Sequence, residues 1–351
     1  MKVGIITFHR AVNYGAALQA YALQRAIEKK GHEVEIIDYR CPKIESDVSP
    51  MAGFADGERF VSATKKCVFR IRKKMAFSGF FRKYVNLSAK AESQADLSKL
   101  SEKYDVIYTG SDQVWNYGCS GSDTAYFLDF VKDNHKKNAY AASFGMDKLS
   151  DDDPFDYKTL LTDFNCISVR EKSAVSIIEN VSGRQSEVVL DPTLLLDKKE
   201  WKNVVAKRPI KEKYIFVYYI RKPKDLLKYA NELSEKTGYK IINAKSSIEF
   251  FKKCSPSDFL SWIYYSEYFV TNSFHGTVFS LVFHKKFAIE LNNGKDTNNR
   301  SKELLDLVGV DRDTDRLDVE AIDSKIDYKT VDEVIRAERE KSLSFIEKTI
   351  C

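Results

Sequence analysis

No run of residues in this chain is long and apolar enough to cross a bilayer as a helix. The first 30 residues are no secretory signal either, since the apolar run Val3 to Phe8 is short and the helix after it is polar on one face. The expected location is therefore cytoplasmic. The six cysteines, Cys41, Cys67, Cys119, Cys166, Cys254 and Cys351, form no CxxC and no Cys/His ligand spacing, so neither a zinc site nor a disulfide framework is expected. Of five histidines only His275 and His284 lie near one another, and nine residues apart is not a metal motif. No metal and no resident cofactor is expected. The formal net charge of +5 is too mild for 351 residues to imply nucleic acid, though it suits small anionic substrates.

With 43% hydrophobic and 30% charged residues, the composition is that of an ordinary globular protein, and the length favours two domains. Strand-like runs alternate with helix-like ones, the mark of parallel sheets with crossover helices. The first series is Lys2 to Thr7, Glu33 to Asp38, Val106 to Thr109, Asn138 to Ser143, Cys166 to Val169 and Glu187 to Leu190. After Asp191-Pro192-Thr193, the charged stretch Asp197 to Lys213 reads as a linker holding a short helix. A second series follows: Tyr214 to Tyr219, Tyr239 to Ile242, Tyr268 to Thr271 and Phe287 to Leu291. The fold class expected is α/β, with two Rossmann-like domains facing a cleft. The first spans 1–196, with a basic helical insertion at about 57–85; the second spans 197–310. A charged segment, 311–351, ends in a helix from Val331 to Ile350.

Ligands of open parallel sheets gather outside the carboxyl ends of the strands, where helix amino ends and loop residues meet. Four segments occupy such places. Thr271-Asn272-Ser273-Phe274-His275-Gly276-Thr277 puts His275 between a strand and a helix expected from Thr277 to His284. Asn13-Tyr14-Gly15 opens a helix running to about Lys30; it lacks GxGxxG and is no dinucleotide fingerprint. In Thr109-Gly110-Ser111-Asp112-Gln113, the glycine permits close backbone approach and the polar residues offer hydrogen bonds. Ser168-Val169-Arg170-Glu171 places an arginine, the natural partner of carboxylate or phosphate, at a helix start. Each has a plainer reading: a helix cap or strand-to-helix turn at Asn13 and Ser111–Asp112, an arginine paired with a nearby carboxylate, a histidine satisfied by a backbone carbonyl.

Phe60 to Tyr84 carries Lys65, Lys66, Arg70, Arg72, Lys73, Lys74, Arg82 and Lys83 with no acidic residue after Glu58. Phe60, Thr64, Cys67, Val68, Ile71 and Met75 share a helical stripe, and Phe77, Phe80 and Phe81 follow. Such a helix either rests on an anionic membrane surface or packs on the core with a solvated basic face.

Taken together, Asn13 to Leu23 (NYGAALQAYAL), Thr109 to Asn116 (TGSDQVWN), Ser168 to Ser173 (SVREKS), Leu190 to Leu196 (LDPTLLL) and Thr271 to Gly276 (TNSFHG) resemble the polysaccharide pyruvyl transferase family over roughly residues 1–310. The resemblance implies a fold like the two-domain GT-B glycosyltransferases. It implies a cytoplasmic transferase of exopolysaccharide biosynthesis, peripheral at the inner face of the membrane if the basic helix meets lipid. The donor implied is phosphoenolpyruvate, a co-substrate rather than a cofactor. The acceptor implied is a sugar of a surface polysaccharide or its lipid-linked precursor, and the product a pyruvate ketal. His275 stands at the family's histidine and is the candidate general acid, its protonated form favoured by a bound trianionic donor. Arg170, Ser273, Gly276 and Arg300 form the candidate donor site; Asn13, Tyr14, Gly15, Gly110, Ser111, Asp112 and Gln113 form the acceptor site.

The chain departs from the family at Ser273, where better-studied members carry an arginine two places before the histidine. Arg300, in Asn298-Asn299-Arg300-Ser301 at a helix start, is the expected substitute. Two competing readings remain: a nucleotide-sugar glycosyltransferase on the same fold, with Glu290 as a ribose contact, and a non-catalytic protein of a polysaccharide assembly complex, held to the membrane by the basic helix.

Overall fold

A computed structural model describes residues 1–49, 60–150, 152–291, 299–315 and 318–350. The beginning of the basic insertion at 57–59, Asn298 and Cys351 lie outside the described residues. The chain divides into two compact units, Met1–Leu195 with Arg339–Cys351, and Leu196–Glu338. The charged segment from residue 311 is thus divided: most of it belongs to the second unit and its last residues to the first.

In the first unit, β1 (Lys2–Ile6), β2 (Glu33–Tyr39), β3 (Leu87–Ala91), β4 (Val106–Asp112), β5 (Lys137–Ala142), β6 (Cys166–Val169) and β7 (Glu187–Val188) form one sheet in the order β3-β2-β1-β4-β5-β6-β7. Every pairing in it is parallel. The crossovers carry α1 (Tyr14–Glu28), α2 (Pro42–Asp47), α3 (Phe60–Tyr84), α4 (Gln94–Ser101), α5 (Tyr117–Ser120), α6 (Tyr157–Thr162) and α7 (Lys172–Ser182). In the second unit, β8 (Tyr214–Tyr218), β9 (Lys240–Asn243), β10 (Tyr268–Thr271) and β11 (Lys286–Ile289) pair in parallel in the order β11-β10-β8-β9. Around them lie α8 (Lys198–Lys202), α9 (Leu226–Thr237), α10 (Ile248–Lys252), α11 (Pro256–Tyr265), α12 (Phe274–Val282) and α13 (Asn299–Leu307); α14 (Tyr328–Ile350) begins here and ends in the first unit. Strand order reverses between β1 and β4 in one sheet and between β8 and β10 in the other. At such points the flanking loops diverge and leave a crevice at the carboxyl ends.

The sequence gives no sign of β3. Leu87-Ser88-Ala89-Lys90-Ala91 holds no β-branched residue, and this edge strand leaves Ala89 and Lys90 exposed, so the apolar run that betrays a buried strand is missing. α1 is the opposite case: only Arg25 and Glu28 of its residues escape burial. It can lie so close to the sheet because β4 has a glycine beneath it. A Cβ at Gly110 would meet Leu23 Cδ2 at 2.9 Å and Ile5 Cγ2 at 3.1 Å. The close backbone approach expected at Gly110 is therefore made by α1, within the core, and not by a ligand.

The core of the second unit is aromatic. Phe216 stacks on Phe269 at 5.4 Å and on Trp262 at 6.1 Å between ring centroids, and Trp201 meets Phe279 edge-on at 5.0 Å. α12 starts at Phe274, three residues before the expected Thr277, because Ser273 serves as its N-cap and accepts from Gly276 N at 3.4 Å. Gly276 is tolerated in the first turn for a steric reason: a Cβ there would lie 2.5 Å from Thr271 Oγ1 and 2.9 Å from Thr271 Cγ2.

Gly276→Ala must therefore push α12 off the end of β10, an overpacking cost of about 1–3 kcal/mol. The thermal midpoint of Gly276→Ala should fall, and adding Thr271→Ala, which removes both clashing atoms, should recover part of the loss. A strictly additive double-mutant cycle would refute the steric account.

Candidate active site

In the second unit, the carboxyl edge is organised by three side chains that follow the strands. Asn272, directly after β10, accepts from Ile220 N at 3.0 Å through Oδ1 and donates from Nδ2 to Arg221 O at 3.3 Å, tying the β8 loop to the β10 loop across the reversal point. Glu290, directly after β11, accepts at Oε2 from the backbone N–H groups of Lys224, Asp225 and Leu226, at 3.0, 2.7 and 2.7 Å. A carboxylate of the protein thus already occupies the amino end of α9, where the helix dipole would favour an anion. His275 occupies the first turn of α12, half-buried, its ring edge-on to Phe274 at 5.1 Å. The Arg300 guanidinium, from α13, lies 5.2 Å from the centroid of the same Phe274 ring.

Histidine, arginine and the positive end of α12 therefore converge around Phe274. Ser273 and Gly276 build this geometry, one as cap and the other as the point of contact with Thr271. Because Ser273 Oγ holds the cap, its hydroxyl is not the equivalent of an arginine reaching outward.

In the first unit, a buried polar network joins the ends of four strands and the turn after β7. Gln19 Nε2 donates to Thr7 Oγ1 at 2.9 Å, and Thr7 Oγ1 donates to Ser111 O at 2.9 Å. Ser111 Oγ donates to Asp191 Oδ2 at 3.2 Å, and Arg170 Nη1 donates to the same oxygen at 2.8 Å. Arg170 Nε lies 3.7 Å from Glu171, whose other carboxylate oxygen accepts from Ser143 Oγ. Burial works against the charge on Arg170, but the facing carboxylates of Asp191, Glu171 and Asp112 more than offset it and hold the guanidinium more firmly protonated than usual. Of the two readings of Arg170, the ion pair is the one observed, and it is buried rather than on the surface: the side chains of Arg170 and Asp191 are 2% and 0% exposed.

The other expected acceptor residues divide. Asn13 is the N-cap of α1, accepting from Ala16 N at 3.3 Å; Gly15 is buried in the first turn, and Tyr14 is buried against Phe77 at 5.1 Å. Asp112 ends β4 with φ at +79°, a left-handed conformation uncommon for a residue with a side chain, and accepts from Gln113 N at 2.9 Å. Gln113 is half-buried, its Oε1 accepting from Asn116 Nδ2 at 3.3 Å. Asp112 and Gln113 are thus the partly exposed members of that loop, while Gly110 and Ser111 belong to the interior.

Sequence reasoning missed a second cluster of this edge. His9 Nε2 and Arg10 both meet Asp38, His9 at 3.1 Å and Arg10 through two nitrogens at 2.7 and 2.6 Å, and Arg40 joins at 3.1 Å. Burial alone would raise the Asp38 carboxyl, but hydrogen bonds from His9 and Arg10 and their charge hold it far below the usual carboxylate range. The signal was positional, since His9 and Arg10 follow β1 and Asp38 lies near the end of β2. Among the described residues, no group of three or more His, Cys, Asp or Glu side chains is placed to hold a metal ion.

Removing Asp191 leaves Arg170 charged and buried without that carboxylate, at a cost of about 3–5 kcal/mol. For a unit of this size, Asp191→Ala should lower the thermal midpoint by roughly 6–20 °C. The double change Arg170→Met/Asp191→Leu should restore part of it. A fall of only a degree or two in Asp191→Ala would show that the pair contributes little.

The model of one family, "Polysaccharide pyruvyl transferase", matches residues 13–292. No curated protein matches the chain significantly. Among solved structures, a protein assigned as a UDP-N-acetylglucosamine 2-epimerase from Listeria monocytogenes superposes with a TM-score of 0.55 at 11% identity, over 99% of this chain and 95% of that one. The UDP-N-acetylglucosamine 2-epimerase of Rickettsia bellii gives 0.50 at 12% identity, over 100% and 97%. The S. aureus MnaA–UDP structure gives 0.50 at 13%, over 99% and 96%. At such identities the likeness shows the fold alone, two Rossmann-like units of the GT-B type. The match to the family model covers well over half of the chain and takes in Arg170, Asp191 and His275, and on that ground the chain belongs to the polysaccharide pyruvyl transferase family.

Proposed function

We propose that this transferase moves the pyruvate unit of phosphoenolpyruvate onto a sugar of a surface polysaccharide or its lipid-linked precursor, as a ketal. Family membership supports the class of reaction. The observation that carries the donor assignment is that the Arg300 guanidinium and the His275 ring each lie against Phe274, which brings a cation to the end of α12 that carries the histidine, in a chain whose Ser273 replaces the family's arginine.

In this reading, Arg300 and the positive end of α12 hold the donor's phosphate or carboxylate, and His275 delivers a proton to the methylene carbon. Charge developing at the adjacent carbon is quenched by a sugar hydroxyl, the bond from that carbon to the phosphate oxygen breaks, and a second hydroxyl closes the ring. The balance is complete: of the two hydroxyl protons, one replaces the proton given to the methyl group and the other leaves on phosphate. No oxidant, reductant or metal enters this balance. Within the first unit, Asp112 and Asn13 are the residues assigned to an acceptor sugar, and the left-handed backbone at Asp112 is the kind of strain that persists where a side chain must be aimed. Arg170 enters as the holder of Asp191, a positioning residue and not a donor contact.

Glu290 favours this donor over a nucleotide sugar. A diphosphate brought to the amino end of α9 would meet a carboxylate that already takes three N–H groups there, and like charges repel.

A donor present at ~100 times its dissociation constant stabilises the fold by about 2.7 kcal/mol, a midpoint shift of a few degrees. Phosphoenolpyruvate should produce that shift in the wild type and in His275→Ala, and lose most of it in Arg300→Ala. Nucleotide sugars should produce none. With an acceptor in hand, His275→Ala should slow transfer by about 10²- to 10⁴-fold. A shift with nucleotide sugars and none with phosphoenolpyruvate would replace this reading with that of a glycosyltransferase.

A further inference from the structure

The basic helix α3 takes no part in the chemistry above, and its two sides differ. Phe77, Phe80 and Phe81 are buried: Phe77 packs on Tyr14 at 5.1 Å, Phe80 on Tyr21 at 6.0 Å, and Phe81 faces the His9 ring at 5.9 Å. Lys73 lies on this inward side too, donating to Val12 O at 3.2 Å with its ammonium 4.6 Å from the Tyr14 ring centroid. The helix is therefore clamped to the first unit by one apolar face.

A second apolar stripe runs along the other side. Val68, Ile71 and Met75 follow at steps of three and four residues, which sets them in one line. They are 53%, 43% and 70% exposed. Since Phe77 comes two residues after Met75, about 200° round the helix, the stripe points away from the face that is packed. Arg72 beside it is exposed, as are Arg82 and Lys83 at the end of the helix; Lys74 is partly spent on Glu45 at 3.3 Å. Along its length α3 carries eight basic residues and no acidic one.

We propose that this outward face of α3 docks the protein on an anionic bilayer, with Val68, Ile71 and Met75 entering the headgroup boundary and the flanking cations meeting lipid phosphates. The charge selects the occupant. A second copy of the chain would bring two helices of eight cations each together, whereas an anionic surface neutralises them and takes up aliphatic side chains at the same time. A fixed helix also loses little freedom on binding, so the surface is ready-made. The proposal does not depend on the donor reading, though it accords with a lipid-linked acceptor.

Sedimentation with vesicles, donor omitted, tests it. Wild-type protein should bind phosphatidylcholine vesicles containing about one-third phosphatidylglycerol at ~0.1 M salt, and not bind phosphatidylcholine alone. The triple variant Val68→Ser/Ile71→Ser/Met75→Ser and the charge variant Arg72→Gln/Arg82→Gln/Lys83→Gln should each partition about tenfold less or weaker still, with thermal midpoints near that of the wild type because only exposed side chains change. Three results would overturn the proposal: no binding to the anionic vesicles, undiminished binding of the serine variant, or a wild-type dimer in solution that this variant converts to monomer.

Discussion

The Arg170–Asp191 pair is the constraint from which the carboxyl edge of the larger sheet is built. One carboxylate oxygen of Asp191 takes Arg170 from the end of β6 and Ser111 from β4; the other takes the backbone N–H and the hydroxyl of Thr193, at 3.0 and 2.6 Å. The short turn Pro192–Leu194 that begins there packs on α1. A single side chain thus fixes the ends of two strands and the turn that leaves the sheet. A charge so buried is held only where every neighbour is placed to receive it, and this makes the edge rigid at a cost in tolerance to substitution. The same rigidity keeps Asp112, next to Ser111, in its left-handed backbone conformation, since a lone loop would relax toward an ordinary turn.

This edge shows why some of the site was legible in the sequence and some was not. Strands buried on both faces announce themselves as apolar runs, so the central ones could be located within three residues at either end. β3 could not, because an edge strand partly open to water needs no such run. The candidate residues were found by their position after strands, and position alone does not say which way a side chain turns. Gly110 and Ser111 turn inward, while Asp112 and Gln113 stay partly exposed. His9 and Arg10 from the loop after β1 meet Asp38 of β2, 28 and 29 residues apart for the pairs that touch, a distance over which no local spacing carries information.

His275 teaches the complementary point. A serine, a histidine and a glycine within four residues look like loop, and helix propensity places the start of α12 later, at Thr277. The structure starts it at Phe274 because the Ser273 cap and the contact between Gly276 and Thr271 are tertiary gains that outweigh a propensity of about 1 kcal/mol for glycine. The consequence is chemical. In the first turn of the helix, the histidine ring sits beside the positive end of the dipole, where an anionic ligand is favoured.

The two helix amino ends at the carboxyl edge of the smaller sheet have been treated differently. At α9 the protein supplies its own carboxylate, Glu290, and the amides of Lys224, Asp225 and Leu226 are committed to it. At α12 the cap is a neutral serine hydroxyl, and the Arg300 guanidinium lies over Phe274 in the first turn. One end is thus negative by construction and the other positive, so a ligand with a single cluster of negative charge has one favourable place beside His275. An arginine at position 273 would have had to reach out from the cap itself and give up the hydroxyl that starts the helix. Bringing the cation from α13 separates the two tasks, leaving Ser273 to fix the helix and Phe274 to fix the cation that serves it.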